Sequence, residues 1–117
     1  MSDLILHHYA LSPFSQKVRS MLGYADLPWQ SAITREMPPR PIVATLTGGY
    51  RKIPVAQCGA DVFCDTAVIS SEIAVRAGKP QLARQNCSDE VNRFIAHVEL
   101  EVFFACVMSS ASWALNK

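Results

Sequence analysis

Hydroxyl side chains stand at two predicted helix starts, which are places where a protein can hold an anion. Ser12 precedes Pro13, a proline suited to the first turn of a helix, and Asp65-Thr66 precede an apolar run at helical spacing. The first N–H groups of a helix have no partner within it, and the helix dipole adds partial positive charge there. Each hydroxyl therefore predicts either a plain helix cap or a group that helps to hold negative charge.

Cysteines and histidines are the other residues with reactive or metal-binding side chains, and their spacing argues against a metal site. The cysteines are Cys58, Cys64, Cys87 and Cys106. They form no C-x-x-C pair and no zinc-ligand pattern, so we predict free thiols, mostly buried, and no metal. His7 and His8 alternate along a predicted strand and therefore point to opposite faces of its sheet. His97 lies on the last predicted helix, in a structural or interface role.

The elements that must position these residues alternate between strands and helices. The predicted order is a strand at 4–9, a helix from 12, a strand at 29–34, an irregular segment at 36–49 with one short helix, two hairpin strands at 53–57 and 61–64, and a helix from 65. Gly78 and Pro80 give a strong stop signal to that last helix. This order predicts an α/β fold with a mixed sheet.

The first of these helices has one apolar face. Its apolar residues recur at helical spacing and are Phe14, Val18, Met21, Leu22 and Ala25. Gln16, Lys17 and Arg19 are predicted to face away from this stripe. Pro28 is predicted to end the helix.

Composition and charge exclude several classes of partner. Eleven basic and ten acidic residues give a formal net charge of +1 with no block of like charge, so nothing supports a nucleic-acid partner. The longest apolar stretch, 102–108, is far shorter than the roughly 20 residues of a membrane span. The first residues lack the basic patch and long apolar run of a secretory signal, and we expect a cytoplasmic protein.

The last predicted helix follows a polar linker at 81–87, opens at Ser88 and is apolar on more than one side. The residues outside its main apolar stripe are Leu100, Phe103, Phe104 and Val107. Burial of one such side chain is worth roughly 1.5–3 kcal/mol, so four exposed ones are unfavourable. We therefore expect cover from residues after 117, from a second copy of the chain or from both, and we predict a homodimer.

Three short motifs follow one another along the chain at a characteristic spacing. They are Ser12-Pro13-Phe14-Ser15-Gln16-Lys17-Val18-Arg19, Lys52-Ile53-Pro54-Val55 and Asp65-Thr66. Together they resemble the glutathione transferase family over residues 3 to about 80. The resemblance implies a thioredoxin-like glutathione-binding domain with a mixed four-stranded sheet at 1–80, a linker at 81–87 and the beginning of an all-α C-terminal domain at 88–117.

The resemblance makes Ser12 the candidate catalytic residue. A cysteine-type thiol has a pKa of about 8.5, and a hydroxyl at a helix start that donates to the sulfur favours the thiolate. Tyr9 and Ser15 are nearby hydroxyls that are alternative candidates for this role. Because a serine cannot perform thiol–disulfide exchange, transfer of glutathione to a small electrophile is the favoured reaction.

The same resemblance implies which residues hold glutathione, the co-substrate. Ile53, joined to Pro54 by a cis peptide in this family, offers its main-chain N–H and C=O to the cysteinyl unit. Thr66 holds the γ-glutamyl carboxylate and Asp65 the neighbouring ammonium group. Lys52 resembles the lysine near the glycyl carboxylate.

Each assignment has a plainer structural alternative. Ser12, Asp65 and Thr66 suit helix capping, which needs no chemistry. Pro54 also suits a trans proline at the start of an edge strand. Arg40 is a second candidate for the glycyl carboxylate, and a solvated surface charge is the alternative for both Lys52 and Arg40.

Two other functions fit the same motifs. One is a non-catalytic module that uses the fold only to bind glutathione or to dimerise, because one fold hosts many functions. The other is a glutaredoxin-like reductase that works through Cys58 or Cys64. Neither cysteine lies at the helix start after the first strand, so the glutaredoxin-like reductase is the least favoured of the three functions.

Overall fold

The computed structural model describes residues 3–106, 108 and 109. The chain forms two compact units, Met1–Asn86 and Cys87–Lys117. Of the residues named above, Val107 lies outside the described part of the chain.

The first unit is a four-stranded sheet with three helices. Its elements are β1 (Leu4–His8), α1 (Pro13–Ala25), β2 (Trp29–Ile33), α2 (Pro41–Thr47), β3 (Val55–Cys58), β4 (Asp61–Cys64) and α3 (Thr66–Ala77). The strand order is β2-β1-β3-β4, with β1 parallel to β2 and antiparallel to β3, and β3 antiparallel to β4. This mixed sheet is the thioredoxin-like α/β fold predicted from the motifs.

The core lies between one face of the sheet and the helices α1 and α3. Leu4 and Leu6 point to this face because alternate residues of a strand share a side, and they meet residues spaced along both helices. The fully or nearly fully buried members are Leu4, Leu6, Val18, Leu22, Ala25, Ala56, Ile69 and Ile73. The apolar stripe predicted for α1 is therefore its buried face, although Phe14 and Met21 are only half-buried.

Both long helices of this unit end at a residue in the left-handed backbone conformation. α1 ends at Asp26 (φ 55°), before the predicted Pro28, and the Asp26 N–H donates to the carbonyls of Leu22 and Gly23. α3 ends at Gly78 (φ 64°), the residue predicted to stop it. Glycine suits this position because it has no Cβ to clash.

Most of the segment predicted as a polar linker belongs to the first unit and packs against the rest of it. It forms two single turns of 3-10 helix, Pro80–Leu82 and Arg84–Asn86. Between them Ala83 is 2% exposed, and Leu82 packs against the core cluster. Two apolar residues, Leu82 and Ala83, anchor this polar stretch, and two residues are too few to give a periodic pattern in the sequence.

The described residues of the second unit are helical from Asp89 onwards. α4 (Asp89–His97) begins at Ser88, whose hydroxyl accepts a 3.2 Å hydrogen bond from the Val91 N–H. A π-helical segment follows at Val98–Val102, and the helix continues at 103–106. No helix of the described residues is long and apolar enough to cross a membrane.

Candidate functional site

The register of the sheet brings three separate segments of the chain to one end of it. His7 of β1 lies opposite Val55 of β3, and Val55 in turn lies opposite Cys64 of β4. Since β3 is antiparallel to both neighbours, the last residues of β1, the first of β3 and the last of β4 are side by side. The segments that adjoin these three ends carry Ser12, Ile53-Pro54 and Asp65-Thr66.

Ser12 is the N-cap of α1. Its Oγ accepts a 3.1 Å hydrogen bond from the Ser15 N–H, and its own N–H donates to the carbonyl of Tyr9 at 3.2 Å. The side chain is only 3% exposed. A serine hydroxyl has one proton and two lone pairs, so capping uses the oxygen as an acceptor and leaves the proton able to reach another group.

The other two hydroxyl candidates differ from Ser12 in environment. Ser15 is fully buried on the core side of α1, and its Oγ has no hydrogen-bond partner in the described residues. Tyr9 is half-buried in the turn after β1, with the Arg40 guanidinium 5.8 Å from its ring centroid.

Asp65 and Thr66 begin α3, but the aspartate does not cap it. Asp65 has φ 74° and ψ 132°, a region that L-residues rarely occupy, and its side chain makes no capping hydrogen bond. The expectation that its carboxylate caps the helix is therefore wrong. The side chain is exposed, and Thr66 beside it is half-buried.

Lys17 and Arg19 lie outside the apolar stripe of α1, yet their charged ends contact elements of the candidate site. The Lys17 ammonium donates to Thr66 Oγ1 at 3.4 Å, so it brings a positive charge from α1 to the start of α3. Arg19 donates to the ring of His8 and to the turn that follows β1. Long basic side chains can run along a helix and place their charged ends far from the face of their Cα atoms.

Tyr50 is a residue near this end of the sheet that sequence reasoning missed. Partial burial, and then the charges of Asp65 and Cys64, raise the pKa of its phenol above the ordinary value. The neutral hydroxyl is therefore a hydrogen-bond donor close to Asp65 at physiological pH. No motif marks a lone tyrosine after two glycines, so the sequence held no signal for it.

The proline motif lies where β3 begins. The Ile53–Pro54 peptide bond is cis, Pro54 is buried and Ile53 is half-buried. Lys52, the residue before them, is exposed. A second cis peptide joins Pro38 to Pro39 in the segment before α2.

Arg40 binds main-chain carbonyls of the protein itself. Its Nε donates to the Arg35 carbonyl at 2.7 Å, its Nη1 to that of Arg51 at 2.7 Å, and its Nη2 to that of Glu36 at 2.5 Å. The guanidinium therefore ties the segment before α2 to the segment that leads into Lys52. This internal role differs from its predicted place beside the glycyl carboxylate.

The histidines and cysteines give no sign of metal binding in the described residues. No group of three or more His, Cys, Asp or Glu side chains is close enough to hold an ion there. His7 and His8 are hydrogen-bonded instead, through Nε2, to Gln57 Oε1 at 3.0 Å and to Ser31 Oγ at 2.5 Å. The Nε2 atom of each ring thus binds a side chain of the sheet.

The four cysteines are free thiols, as predicted, but none is fully buried. Three are half-buried and Cys106 is exposed, so the expectation of mostly buried thiols is wrong. Burial raises the pKa of the Cys64 thiol above its ordinary value. A higher pKa reduces the thiolate fraction, which disfavours Cys64 as the nucleophile of a reductase.

Comparison with known proteins places this geometry in a family. The family model described as "Glutathione S-transferase, N-terminal domain" matches residues 6–81, more than half of the chain. The chain belongs to the glutathione S-transferase family. A glutathione S-transferase-like protein from Pseudomonas syringae is 39% identical with a TM-score of 0.78, and the alignment covers 92% of this chain and 39% of that protein. The chain thus spans about two fifths of that relative's length.

More distant solved structures share the fold alone. A glutathione transferase homologue from Drosophila mojavensis, solved with bound glutathione, is 21% identical with a TM-score of 0.61, over 68% of this chain and 37% of that one. The Omega 1C glutathione transferase from Trametes versicolor is 16% identical with a TM-score of 0.69, over 90% of this chain and 50% of that one. No curated protein matches the chain.

Proposed function

We propose that this chain binds glutathione at the end of the sheet where Ser12, Ile53-Pro54 and Asp65-Thr66 meet, and that it activates the thiol for attack on a small electrophile. The observation that carries the proposal is the register of β1, β3 and β4, which sets three distant motifs side by side. Separate faces for these motifs would have left no common groove.

The γ-glutamyl end of glutathione fits the start of α3. Thr66 offers a hydroxyl and a main-chain N–H at a helix N-terminus, where a carboxylate is favoured. Lys17, whose ammonium lies 3.4 Å from Thr66 Oγ1, adds a positive charge for the same carboxylate. Asp65 does not cap the helix, which supports a role for its carboxylate with the ammonium group of the ligand.

The middle and the glycyl end of glutathione fit the proline motif. Ile53 lies just before the start of β3, where its main-chain N–H and C=O can pair with the cysteinyl unit as a short strand would. Lys52 is exposed beside it and is the proposed partner of the glycyl carboxylate. Arg40 acts on this part indirectly, through its hydrogen bond to the Arg51 carbonyl.

The thiol step needs one donor at the sulfur. A free thiol with a pKa of about 8.5 is mostly protonated at neutral pH, so its proton must leave before the sulfur can attack. The Ser12 hydroxyl, which keeps its proton while it caps α1, would donate to the thiolate and lower the pKa of the bound thiol. The thiolate then forms a bond to the electrophile, with loss of a leaving group or addition across a double bond.

The binding part of the proposal is tested by titration calorimetry with glutathione on wild type and Thr66→Val. Loss of a hydroxyl that bonds a carboxylate should weaken binding by roughly ten- to a hundredfold, since hydrogen bonds to charged groups contribute roughly 1.5–3 kcal/mol. Thr45→Val is the matched control, because the Thr45 hydroxyl bonds the Pro41 carbonyl within exposed α2. Equal affinity in wild type and Thr66→Val would contradict the assignment.

A non-catalytic glutathione-binding module is the second candidate. The observation that favours it is the 3% exposure of Ser12, which leaves little of the hydroxyl open to a ligand. The ultraviolet absorbance of bound thiolate separates the two functions. Ser12 catalysis predicts thiolate near neutral pH in wild type and none in Ser12→Ala, whereas retention on immobilised glutathione without thiolate in either would support the module.

The choice of electrophile and the oligomeric state are proposals about a whole protein of this kind, because this chain covers only 39% of the similar protein from Pseudomonas syringae. Phe94, Leu100 and Phe104 are 66%, 73% and 62% exposed, and these exposed side chains support the proposed homodimer. Analytical ultracentrifugation of the complete gene product tests it. A monomer at high concentration would contradict it.

A further inference from the structure

The turn between β1 and α1 is held by an arginine that is itself held by a buried histidine. Arg19 uses both terminal nitrogens twice. Nη1 donates to His8 Nδ1 at 2.8 Å and to the Tyr9 carbonyl at 3.5 Å, and Nη2 donates to the Ala10 carbonyl at 3.3 Å and to Gln16 Oε1 at 2.7 Å. One side chain of α1 thus bridges the end of β1 and the turn that leads to the catalytic candidate.

Ser12 depends on the same turn through its main chain. The Ser12 N–H donates to the Tyr9 carbonyl at 3.2 Å, and this carbonyl is one of the two that Arg19 contacts. The position of the Ser12 hydroxyl is therefore coupled to the placement of the Arg19 guanidinium. A change of about 1 Å in such a group is enough to alter the binding of a reacting atom.

The contacts of His8 require a neutral ring. Arginine stays protonated and can only donate, so Nδ1 must be the acceptor and the proton must lie on Nε2, which donates to Ser31 Oγ. His8 is 5% exposed, and the Trp29 ring stands edge-on at 5.7 Å. Protonation of Nδ1 would set an N–H against the N–H of Arg19 and remove the acceptor.

The charged and titratable groups around His8 all lower the pKa of its ring. They are Arg19, from α1, and His7, the neighbour on β1, while β2 supplies the uncharged Ser31 and Trp29. Burial, then Arg19, then His7 lower the pKa of His8 below its ordinary value. No carboxylate of the described residues counters this effect.

We propose that Arg19 and His8 are positioning residues for Ser12, and that protonation of His8 releases Arg19 from the turn and weakens the thiol end of the glutathione site. The proposal rests on the proposed function for its ligand. It adds a residue pair outside the groove and a dependence on pH that the groove residues do not supply.

The variant His8→Asn distinguishes two properties of the histidine: its role as a hydrogen-bond acceptor for Arg19 and its ability to gain a proton. The asparagine Oδ1 occupies about the place of Nδ1, so the variant keeps an acceptor for Arg19 and cannot gain a proton. His8→Leu removes the acceptor, and Arg19→Gln removes the clamp. At pH 7.5 we expect His8→Asn to bind glutathione as wild type does, and the other two to bind about tenfold more weakly, as expected from lost charge-assisted hydrogen bonds.

The pH profile is the readout that a merely structural role would not move. Free glutathione titrates below about pH 4 and near pH 8 and above, so the ligand itself changes little between pH 5 and pH 7. In wild type the Kd should rise several-fold as the pH falls through this range, and in His8→Asn it should rise only by the smaller amount that ionisation of the bound thiol contributes. His97→Asn, at an exposed histidine of α4, should keep the wild-type profile.

A readout without ligand distinguishes this proposal from the proposed function. In wild type the Ser12 amide resonance should shift together with the His8 ring signals as the pH falls, and in His8→Asn it should not. A wild-type profile of Kd in His8→Asn, or a Ser12 amide that ignores the His8 titration, overturns the proposal. If wild type binds no glutathione, the proposed function fails and the amide titration alone decides this proposal.

Discussion

The clearest single perturbation is at Arg40, where an internal role and a ligand-binding role predict different results. Its guanidinium makes three hydrogen bonds of 2.5–2.7 Å to main-chain carbonyls and lies 5.8 Å from the Tyr9 ring centroid. We compare Arg40→Gln, which removes the charge, with Arg40→Lys, which keeps it but loses the forked geometry.

The size of the effect follows from these contacts and from their exposure. A net hydrogen bond is worth about 0.5–1.5 kcal/mol, and the lower half of that range applies here because water reaches the freed carbonyls. Three bonds and a cation–π contact of about 0.5 kcal/mol give about 2–3.5 kcal/mol for Arg40→Gln. Arg40→Lys retains one donor, so its loss should be about 1–2 kcal/mol.

Urea unfolding measures the stability term, and titration calorimetry with glutathione measures its effect on the site. Both variants should unfold at lower urea concentration. Both should bind glutathione about three- to tenfold more weakly, because the segment that leads into Lys52 loses the hydrogen bond between Arg40 and the Arg51 carbonyl. Arg35→Gln is the matched control, since Arg40 contacts the main chain of Arg35 and the Arg35 side chain is exposed.

A different pattern would refute this reasoning. If Arg40→Lys keeps wild-type stability and affinity while Arg40→Gln loses affinity alone, the charge acts on the ligand. The internal hydrogen bonds would then be incidental.

Three further results follow from single side chains. Ser15→Ala should raise the free energy of unfolding by about 1 kcal/mol in urea, because the mutation removes a buried hydroxyl without a partner and alanine favours the helix; a loss of thiolate absorbance in this variant would instead make Ser15 the catalytic hydroxyl. Asp65→Gly should gain up to about 1 kcal/mol by removing the cost of φ 74° and should weaken glutathione binding, and a variant that binds fully would exclude the carboxylate from the site. Because the pKa of His8 is lower in the folded protein, its contribution to stability is complete above about pH 6.5 and is lost as the pH falls toward the folded pKa. Chemical unfolding of His8→Asn across pH 5–7 should lack this component, and an unchanged slope would show that other groups are responsible.

The sequence predicted the order of elements well because apolar periodicity and turn residues act locally. Gly78 ended α3 where predicted, since a left-handed residue is what a helix end needs. The three motifs also met at one end of the sheet, as expected of a familiar arrangement. Such features depend on residues that are close in sequence, so they can be predicted from the sequence alone.

The errors concern where long or small side chains reach in three dimensions. Lys17 and Arg19 lie on the polar side of the apolar stripe, yet their charged ends, at the tips of long side chains, contact Thr66 and His8. Arg40 bonds carbonyls on both sides of α2, and a carbonyl carries no sequence signal. Periodicity gives the direction of a Cβ and says little about the tip of a basic residue.

The place of β1 at the centre of the sheet has a consequence for synthesis. β1 leaves the ribosome first, but its antiparallel neighbour β3 lies some fifty residues later, with Ile5 opposite Gln57. At a synthesis rate of about 5–20 residues per second, one edge of this central strand stays unpaired for several seconds until β3 has been made. Trimming the first eight residues would leave β2 without a neighbour and reduce the sheet to the β3–β4 hairpin, so an N-terminal deletion is far more damaging here than its length suggests.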